Sequence, residues 1–182
     1  MKSKQRELCR SLYKSKSPIP GLGFLCGLAG GLAGSWIMTK FTKLLANGAA
    51  SNPQILPYDA QEWDAASRIA EDCGTRILGR ALSPRELKTG AAVVHYATGA
   101  IAGAFYGLMA HRAKRRSQWS GAFFGVTVWL VGNELLLPTL GVIHRDDYTL
   151  GEKASALGGH LAFGLTTDLV YRHLLPSATK VD

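Results

Sequence analysis

The chain has 182 residues, 47% of them hydrophobic, and a formal net charge of +8. Its Lys and Arg residues lie in short blocks beside uncharged stretches, a pattern typical of membrane topology signals, so we expect no nucleic-acid partner. The three cysteines, Cys9, Cys26 and Cys73, form no CxxC pair and indicate neither a disulfide framework nor a zinc site. No phosphate-binding loop, nucleophile elbow or HExxH motif occurs in the sequence, so we predict that the protein is not an enzyme.

The chain begins with a basic tail over residues 1–17, and residues 19–39 then carry no charged side chain. This second stretch is longer than the apolar core of a signal peptide, so we interpret it as a retained membrane-spanning helix. Glycines recur in it at every fourth residue and would lie on one helix face, where a second helix can approach closely. These glycines are Gly23, Gly27 and Gly31.

The following connection contains an amphipathic segment. Apolar side chains recur with helical spacing between residues 59 and 82, which predicts an amphipathic helix. We expect this helix either at the membrane surface or as a solvent-exposed cover over the mouth of a helical bundle. The sequence Ser83-Pro84-Arg85-Glu86 then has the pattern of a capping box with proline at the first helical position, so the next helix is predicted to begin there.

Three more apolar stretches follow, over residues 90–110, 119–140 and 154–175. At about 1.5 Å per residue, each can cross a hydrocarbon core of roughly 30 Å. The four-residue glycine spacing continues in the first two of them, at Gly99, Gly103, Gly107, Gly121 and Gly125. We therefore predict an all-α protein with a single transmembrane domain over residues 18–175, built from four transmembrane helices and one amphipathic surface helix. A polar tail over residues 176–182 ends the chain.

The charged loops predict an orientation. The N-terminal tail and the loop Arg112–Arg116 are basic and belong on the cytoplasmic side under the positive-inside rule. The loop over residues 141–153 has mixed charges and belongs on the outer side. Both termini are therefore predicted to be cytoplasmic.

The second and fourth apolar stretches share a pattern. His95 and His160 both begin an H-x-A-x-G sequence, and Tyr106 and Tyr171 each follow their histidine by eleven residues. The first and third stretches match more loosely through glycines four apart. The pattern indicates two repeated helical hairpins of the same topology, packed about an axis along the membrane normal.

Longer motifs run through the same stretches. They are H-x-x-x-G-x-x-x-G-x-x-Y-G over His95–Gly107, Pro138-Thr-Leu-Gly141 after Glu134, and Gly159-His160-Leu-Ala-Phe-Gly164. In these motifs the chain resembles the YagU-like family of bacterial inner-membrane proteins, over roughly residues 20–175. The resemblance implies a multi-pass protein of the bacterial inner (plasma) membrane without an established activity, and it assigns no catalytic residue.

Ionisable side chains inside membrane helices are costly and are candidates for a functional site. His95, Glu134 and His160 lie at similar distances from the outer ends of their predicted helices, so we expect them to converge in one layer, with Asn133 beside the glutamate. We call these four residues the polar cluster. Asp168 lies nearer the cytoplasmic side, where we expect it to pair with Arg172 one helical turn later.

Three roles are open for the polar cluster. We favour hydrogen bonding that holds the helices together, because polar contacts between transmembrane helices are common. The alternatives are proton or ion transport, and binding of a divalent metal by His95, His160 and Glu134 or of haem by the two histidines. The sequence thus predicts a non-catalytic protein of the lipid bilayer, without a resident cofactor, that self-associates or serves as an accessory subunit of a larger membrane complex.

Overall fold

A computed structural model describes residues 20–49, 59–113, 117–143 and 149–175. Within these ranges the chain forms five helices and no strand. The helices are α1 (Pro20–Ala49), α2 (Asp59–Leu78), α3 (Pro84–Arg112), α4 (Ser120–Thr139) and α5 (Leu150–Leu174). The predicted tails over residues 1–17 and 176–182 lie outside the described residues.

Among the described residues, three helices are long and apolar enough to cross a membrane: α1 over Gly21–Leu45, α3 and α4. The fourth predicted span, α5, is not one of the three. It carries four charged side chains within its length, which lowers its hydropathy: Glu152, Lys153, Asp168 and Arg172.

Two helices begin at capping boxes. At the start of α3 the Ser83 hydroxyl accepts from the backbone N–H of Glu86, and the Glu86 carboxylate accepts from the N–H of Ser83 at 2.8 Å, which confirms the predicted capping box. Thr149 and Glu152 form the same arrangement at the start of α5. Because of this second box, α5 begins at Leu150 instead of at the predicted residue 154.

The four long helices form an open arc in the order α3, α1, α5, α4, and α2 packs against α3. In the seam between α1 and α3 the predicted glycine faces meet each other. A Cβ atom added at Gly27, Gly31, Gly103 or Gly107 would run into the backbone of the opposite helix, and one added at Gly23 or Gly99 would first meet the side chain of His111 or Ser35. The pairs in contact are Gly23 with Gly107, Gly27 with Gly103, and Gly31 with Gly99.

The seam between α4 and α5 is built in the same way. Gly121 and Gly125 of α4 lie against the backbone of α5 at Gly164 and His160. Gly121 therefore meets Gly164 as Gly31 meets Gly99, because a Cβ atom added at either would contact the carbonyl oxygen of its partner, at equivalent positions of the two hairpins. These contacts explain the four-residue glycine spacing as close helix packing within one chain.

The third seam joins α1 to α5 at the middle of the arc. Gly30 and Gly34 of α1 lie against Thr167 and Phe163 of α5, and an added Cβ would come within 2.8 Å of their backbone oxygens. The α3 and α4 helices, at the two ends of the arc, have no comparable backbone seam in the described residues. Side chains bridge this gap, since the rings of Tyr106 and Phe124 have centroids 4.7 Å apart.

The outer surface carries many large apolar side chains. Large apolar side chains point outward on every long helix, and Phe105 and Phe123 are 62% and 78% exposed. The buried side chains include several polar ones, which are Ser35, Thr42, His160, Thr167 and Asp168. An outer surface of this kind is suited to contact with lipid.

The amphipathic helix α2 is shorter than predicted, because it ends at Leu78, before a glycine with positive φ at Gly79. Ala65, Ala66 and Ala70 are buried, whereas Ile77 is 81% exposed. Among its described side chains, the apolar face is therefore covered by the protein near Ala65–Ala70 and uncovered at Ile77. Arg68 donates to the carbonyl oxygen of Val142 at 2.9 Å, which ties α2 to the end of the bundle where α3 begins and α4 ends.

Candidate functional site

The interior of the arc contains a small cavity of about 80 Å³. His95 and His160, which occupy equivalent positions of the sequence repeat, both line it. The other lining residues come from all four long helices and are Ser35, Met38, Thr98, Gly99, Ala102, Val128 and Phe163. A cavity of this size has room for a few water molecules.

His95 is held by α1. Its Nε2 lies 3.2 Å from the carbonyl oxygen of Ser35 and 3.3 Å from the hydroxyl of Thr39. A carbonyl oxygen only accepts hydrogen bonds, so Nε2 carries the hydrogen in this arrangement. The Thr39 hydroxyl donates to the same carbonyl at 2.9 Å.

His160 is fixed within its own helix. Its Nδ1 donates to the carbonyl oxygen of Ala156, one turn earlier, at 2.9 Å, and the side chain is buried. In the neutral ring Nε2 is therefore the acceptor. The two histidines thus present opposite tautomers in one cavity, because His95 donates from Nε2 and His160 from Nδ1.

Glu134 and Asn133 lie elsewhere on α4. At the level of the cavity α4 contributes Val128, and Glu134 follows six residues later, about 9 Å farther along the helix. Of the predicted layer, the structure brings together the two histidines but does not bring Glu134 to the cavity they line. The earlier start of α5 accounts for the offset, since it places His160 one turn deeper in its helix than the sequence indicates.

The backbone around Glu134 is unusual. Between Leu130 and Leu136 the helix widens to π geometry, and α geometry returns over Leu137–Thr139. Pro138 gives a physical reason, because a proline ring clashes with the carbonyl group four residues earlier, here that of Glu134. The helix ends at Thr139, and Gly141, which has a positive φ, closes the turn that follows it.

The size and lining of the cavity can be compared with what a metal ion or haem requires. Among the described residues, no three His, Cys, Asp or Glu side chains lie close enough together to hold a metal ion. The cavity is also far smaller than the roughly 300–1,000 Å³ of typical small-molecule sites, so it suits water or a single ion better than a porphyrin. The metal and haem roles of His95, His160 and Glu134 stay predictions.

A second polar site lies nearer the other end of the bundle. Asp168 is buried and accepts from Arg172 Nε at 2.8 Å, as predicted from their spacing. Its other carboxylate oxygen accepts from the Tyr106 hydroxyl at 2.5 Å. Arg172 also donates to the carbonyl oxygen of Ser117 at 2.7 Å, and Ser117 lies just before the start of α4. This site therefore connects α3, α5 and the residues just before α4.

Aromatic rings surround the carboxylate. The rings of Tyr106 and Tyr171, the two tyrosines of the sequence repeat, meet edge to face with centroids 5.8 Å apart. Phe124 packs against both Tyr106 and Phe163. From the sequence, the two tyrosines are recognisable only as equivalent positions of the repeat. Their equal distance from the two histidines was the signal that both lie at one level in the interior.

Comparison with known proteins places the chain in a family. Residues 78–169, just over half of the chain, match the family described as "Protein of unknown function (DUF1440)". The chain belongs to the DUF1440 family. The match is consistent with the YagU-like resemblance and extends from the end of α2 to Leu169 on α5. Searches of curated proteins and of solved structures find no match.

The polar residues of this DUF1440 chain follow one another along the interior. His160 lies seven residues, about 10 Å along the axis, from Thr167, and Asp168 and Arg172 follow within the next turns. Thr167 is fully buried and donates to the carbonyl oxygen of Phe163 at 2.8 Å. The arrangement can bind helices to one another, and its histidine, hydroxyl and carboxyl groups are also of the kinds that exchange protons.

Proposed function

We propose that the protein is a non-catalytic integral membrane protein with four transmembrane helices, working as a component of a larger membrane assembly. The observation that carries this proposal is the outward position of the large apolar side chains around a partly polar interior. For α5, the fourth span, the polar residues His160, Thr167 and Asp168 are buried, whereas Leu165 and Leu169 face outward. A helix can lie in lipid with such residues when the bundle encloses them.

Assembly with other chains would use the outer faces. The glycine faces of α1, α3 and α4 are already occupied within the chain, so they are not free to join a second copy. The exposed apolar side chains remain for contact with lipid, with a second copy or with a partner subunit.

We place the protein in a bacterial inner membrane with both termini in the cytoplasm. Arg112, Arg172 and His173 lie at one end of the bundle, and the sequence that continues from Arg112 is basic. The opposite end carries α2 and the turn after α4. The positive-inside rule assigns the first end to the cytoplasm.

Labelling of single cysteines tests the four spans. Three variants in a background free of other cysteines would carry the native Cys73, Gly151→Cys or His173→Cys, and a membrane-impermeant maleimide would be added to spheroplasts. We expect the thiols at positions 73 and 151 to react from outside and the thiol at 173 to react only after permeabilisation. Reaction of positions 151 and 173 from the same side would show that α5 does not cross, and would overturn the proposal.

Proton or cation transfer is a second candidate, which the two histidines on one cavity support. Proteoliposomes with an imposed potential and a pH-sensitive dye would measure proton flux for the wild type and for the His95→Ala, His160→Ala double variant. A flux that the double variant loses, and that His173→Ala keeps, supports transfer. Absence of flux in the wild type excludes it, and an absorption spectrum and metal analysis of the same sample test haem and metal binding.

A further inference from the structure

We propose that the gap between α3 and α4 is a binding site for an anionic phospholipid, with an acyl chain in the gap and the headgroup at the basic end of the bundle. This inference rests on the proposed membrane location. It adds a specific ligand to a surface that shares no lining residue with the histidine cavity.

The gap forms a groove of about 510 Å³, within the range of sites that hold small molecules. Its walls are mostly apolar, and the exposed side chains of Met109, Trp119 and Phe123 stand at its rim. The remaining lining residues are Tyr106, Ala110, Ala113, Ser117, Ser120, Phe124 and Thr127.

The sequence repeat explains why this side of the arc is open. The backbone contacts equate Gly31 with Gly121, which also equates Gly30 with Ser120 and Gly34 with Phe124. On α1, those two glycines let α5 approach backbone to backbone. On α4, the larger side chains stand at the equivalent positions and keep α3 at a distance. The groove is thus a place where the two hairpins differ, because α4 carries larger side chains than α1 at the equivalent positions.

The groove ends where the charge is basic. Ser117 lines the groove, and its carbonyl oxygen accepts from Arg172, while Arg112 ends the helix that forms the opposite wall. The sequence from His111 to Arg116 contains four Lys or Arg residues and no acidic one. Among the described residues, Asp168 is the acidic side chain toward this end, and it is already bonded to Arg172 and Tyr106.

The positive charge at this end of the groove favours an anionic lipid as the bound molecule. The groove opens sideways between two helices, where the surrounding molecules are lipids, and a tryptophan at its basic end is typical of the membrane–water interface. Basic clusters beside membrane helices attract anionic headgroups. A phosphatidylglycerol molecule satisfies both features, whereas a second copy of this chain would bring the same positive charge to the same end.

Native mass spectrometry tests the proposal on the full chain reconstituted with phosphatidylglycerol and phosphatidylcholine. We expect one phosphatidylglycerol to be retained at least fivefold over phosphatidylcholine. Ala110→Phe, which fills the groove, should abolish retention of either lipid. Ala97→Phe, at an exposed position on the same helix away from the groove, should retain the lipid like the wild type.

A charge variant keeps the test informative even if Ala110→Phe fails to fold. The variant Arg112→Gln, Arg115→Gln, Arg116→Gln should lose the preference for phosphatidylglycerol, whereas Arg76→Gln, Arg85→Gln, Lys88→Gln at the other end should keep it. Equal retention of the two lipids by the wild type overturns the proposal. So does a disulfide-linked dimer formed in high yield by Phe123→Cys, which assigns the groove to a second copy. Either result leaves the topology experiment unaffected, so failure of this site is distinguishable from failure of the proposed membrane role.

Discussion

Gly103 lies where the backbones of α3 and α1 are in direct contact. A Cβ atom there would meet the carbonyl oxygen of Gly27 and the backbone of Gly31. Overpacking of this kind costs about 1–3 kcal/mol, and each kcal/mol corresponds to roughly 2–4 °C for a chain of this size. We predict that Gly103→Ala lowers the midpoint of thermal unfolding in detergent by several degrees, measured by differential scanning fluorimetry.

Gly132 on α4 provides the matched control, because nothing lies within 4 Å of a Cβ built there. Alanine is the better helix former by about 1 kcal/mol, so Gly132→Ala should leave the midpoint unchanged or raise it. Equal losses for the two variants would contradict the packing argument.

Tyr106 donates to a charged, buried acceptor, and hydrogen bonds to charged groups contribute about 1.5–3 kcal/mol. We predict that Tyr106→Phe destabilises the protein by this amount, and by less when Asp168→Asn is already present. A double-mutant cycle on thermal unfolding measures the difference. Additive losses would show that the two residues are not coupled. Tyr96→Phe, on the same helix, should cost little.

Of the two contacts of Asp168, one can be predicted from the sequence and the other cannot. Its pairing with Arg172 depends on a four-residue helical spacing, and the prediction is confirmed. Its bond to Tyr106 joins residues 62 apart in the chain, so it depends on the rotation and depth of two separate helices. Nothing local in the sequence specifies those two quantities.

At the scale of the helices, α2 is held against α3 by small residues. A Cβ atom at Gly90 would lie 3.0 Å from the Cβ of Ala70, so a larger side chain there must displace α2. We predict that Gly90→Leu speeds amide hydrogen exchange over residues 65–78 and leaves exchange in α5 unchanged. Thr89→Leu, at the neighbouring exposed position, should change neither. Unaltered exchange in α2 of Gly90→Leu would mean that this contact does not hold it.

Helix boundaries were predictable where a local code sets them. The capping box at Ser83 was recognised, while the equivalent box at Thr149 was not, because Glu152 and Lys153 were assigned to a loop. The π segment on α4 was not predicted, since residues 119–140 were expected to form one regular helix. The earlier start of α5 places His160 about one turn deeper than expected, and Glu134 lies away from the histidine cavity.

At the scale of the whole molecule, the exposed apolar surface predicts different tolerance to charge on different helices. Ile101 is 58% exposed near the middle of α3, and an arginine at the centre of a membrane helix costs about 2.5–3.5 kcal/mol on insertion scales. We predict that Ile101→Arg reduces the fraction of the chain that resists carbonate extraction from membranes. Ile77→Arg, an even more exposed position on α2, should be extracted like the wild type. Equal extraction of both variants would contradict the placement of α3 in lipid.

The all-helical architecture followed from the segregation of charged and apolar residues in the sequence. Hydropathy supports three spans among the described residues; α5, which we propose as the fourth, carries polar groups that lower its hydropathy although His160, Thr167 and Asp168 are buried. The glycine faces were predicted, but not which helices they join. That choice depends on side-chain size at positions such as Phe124, where the two hairpins differ.

The contact between α1 and α3 does not require that the two helices belong to one unbroken polypeptide. The two helices meet through glycine faces, and the described glycines of the connection between them, Gly74 and Gly79, make no contact with that seam. A gene divided between codons 49 and 59 would therefore encode two polypeptides, of which the shorter still carries the whole α1 half of the seam. Produced together, the fragments should find each other in the bilayer and restore the bundle, since their fit is set by backbone shape and not by the covalent link.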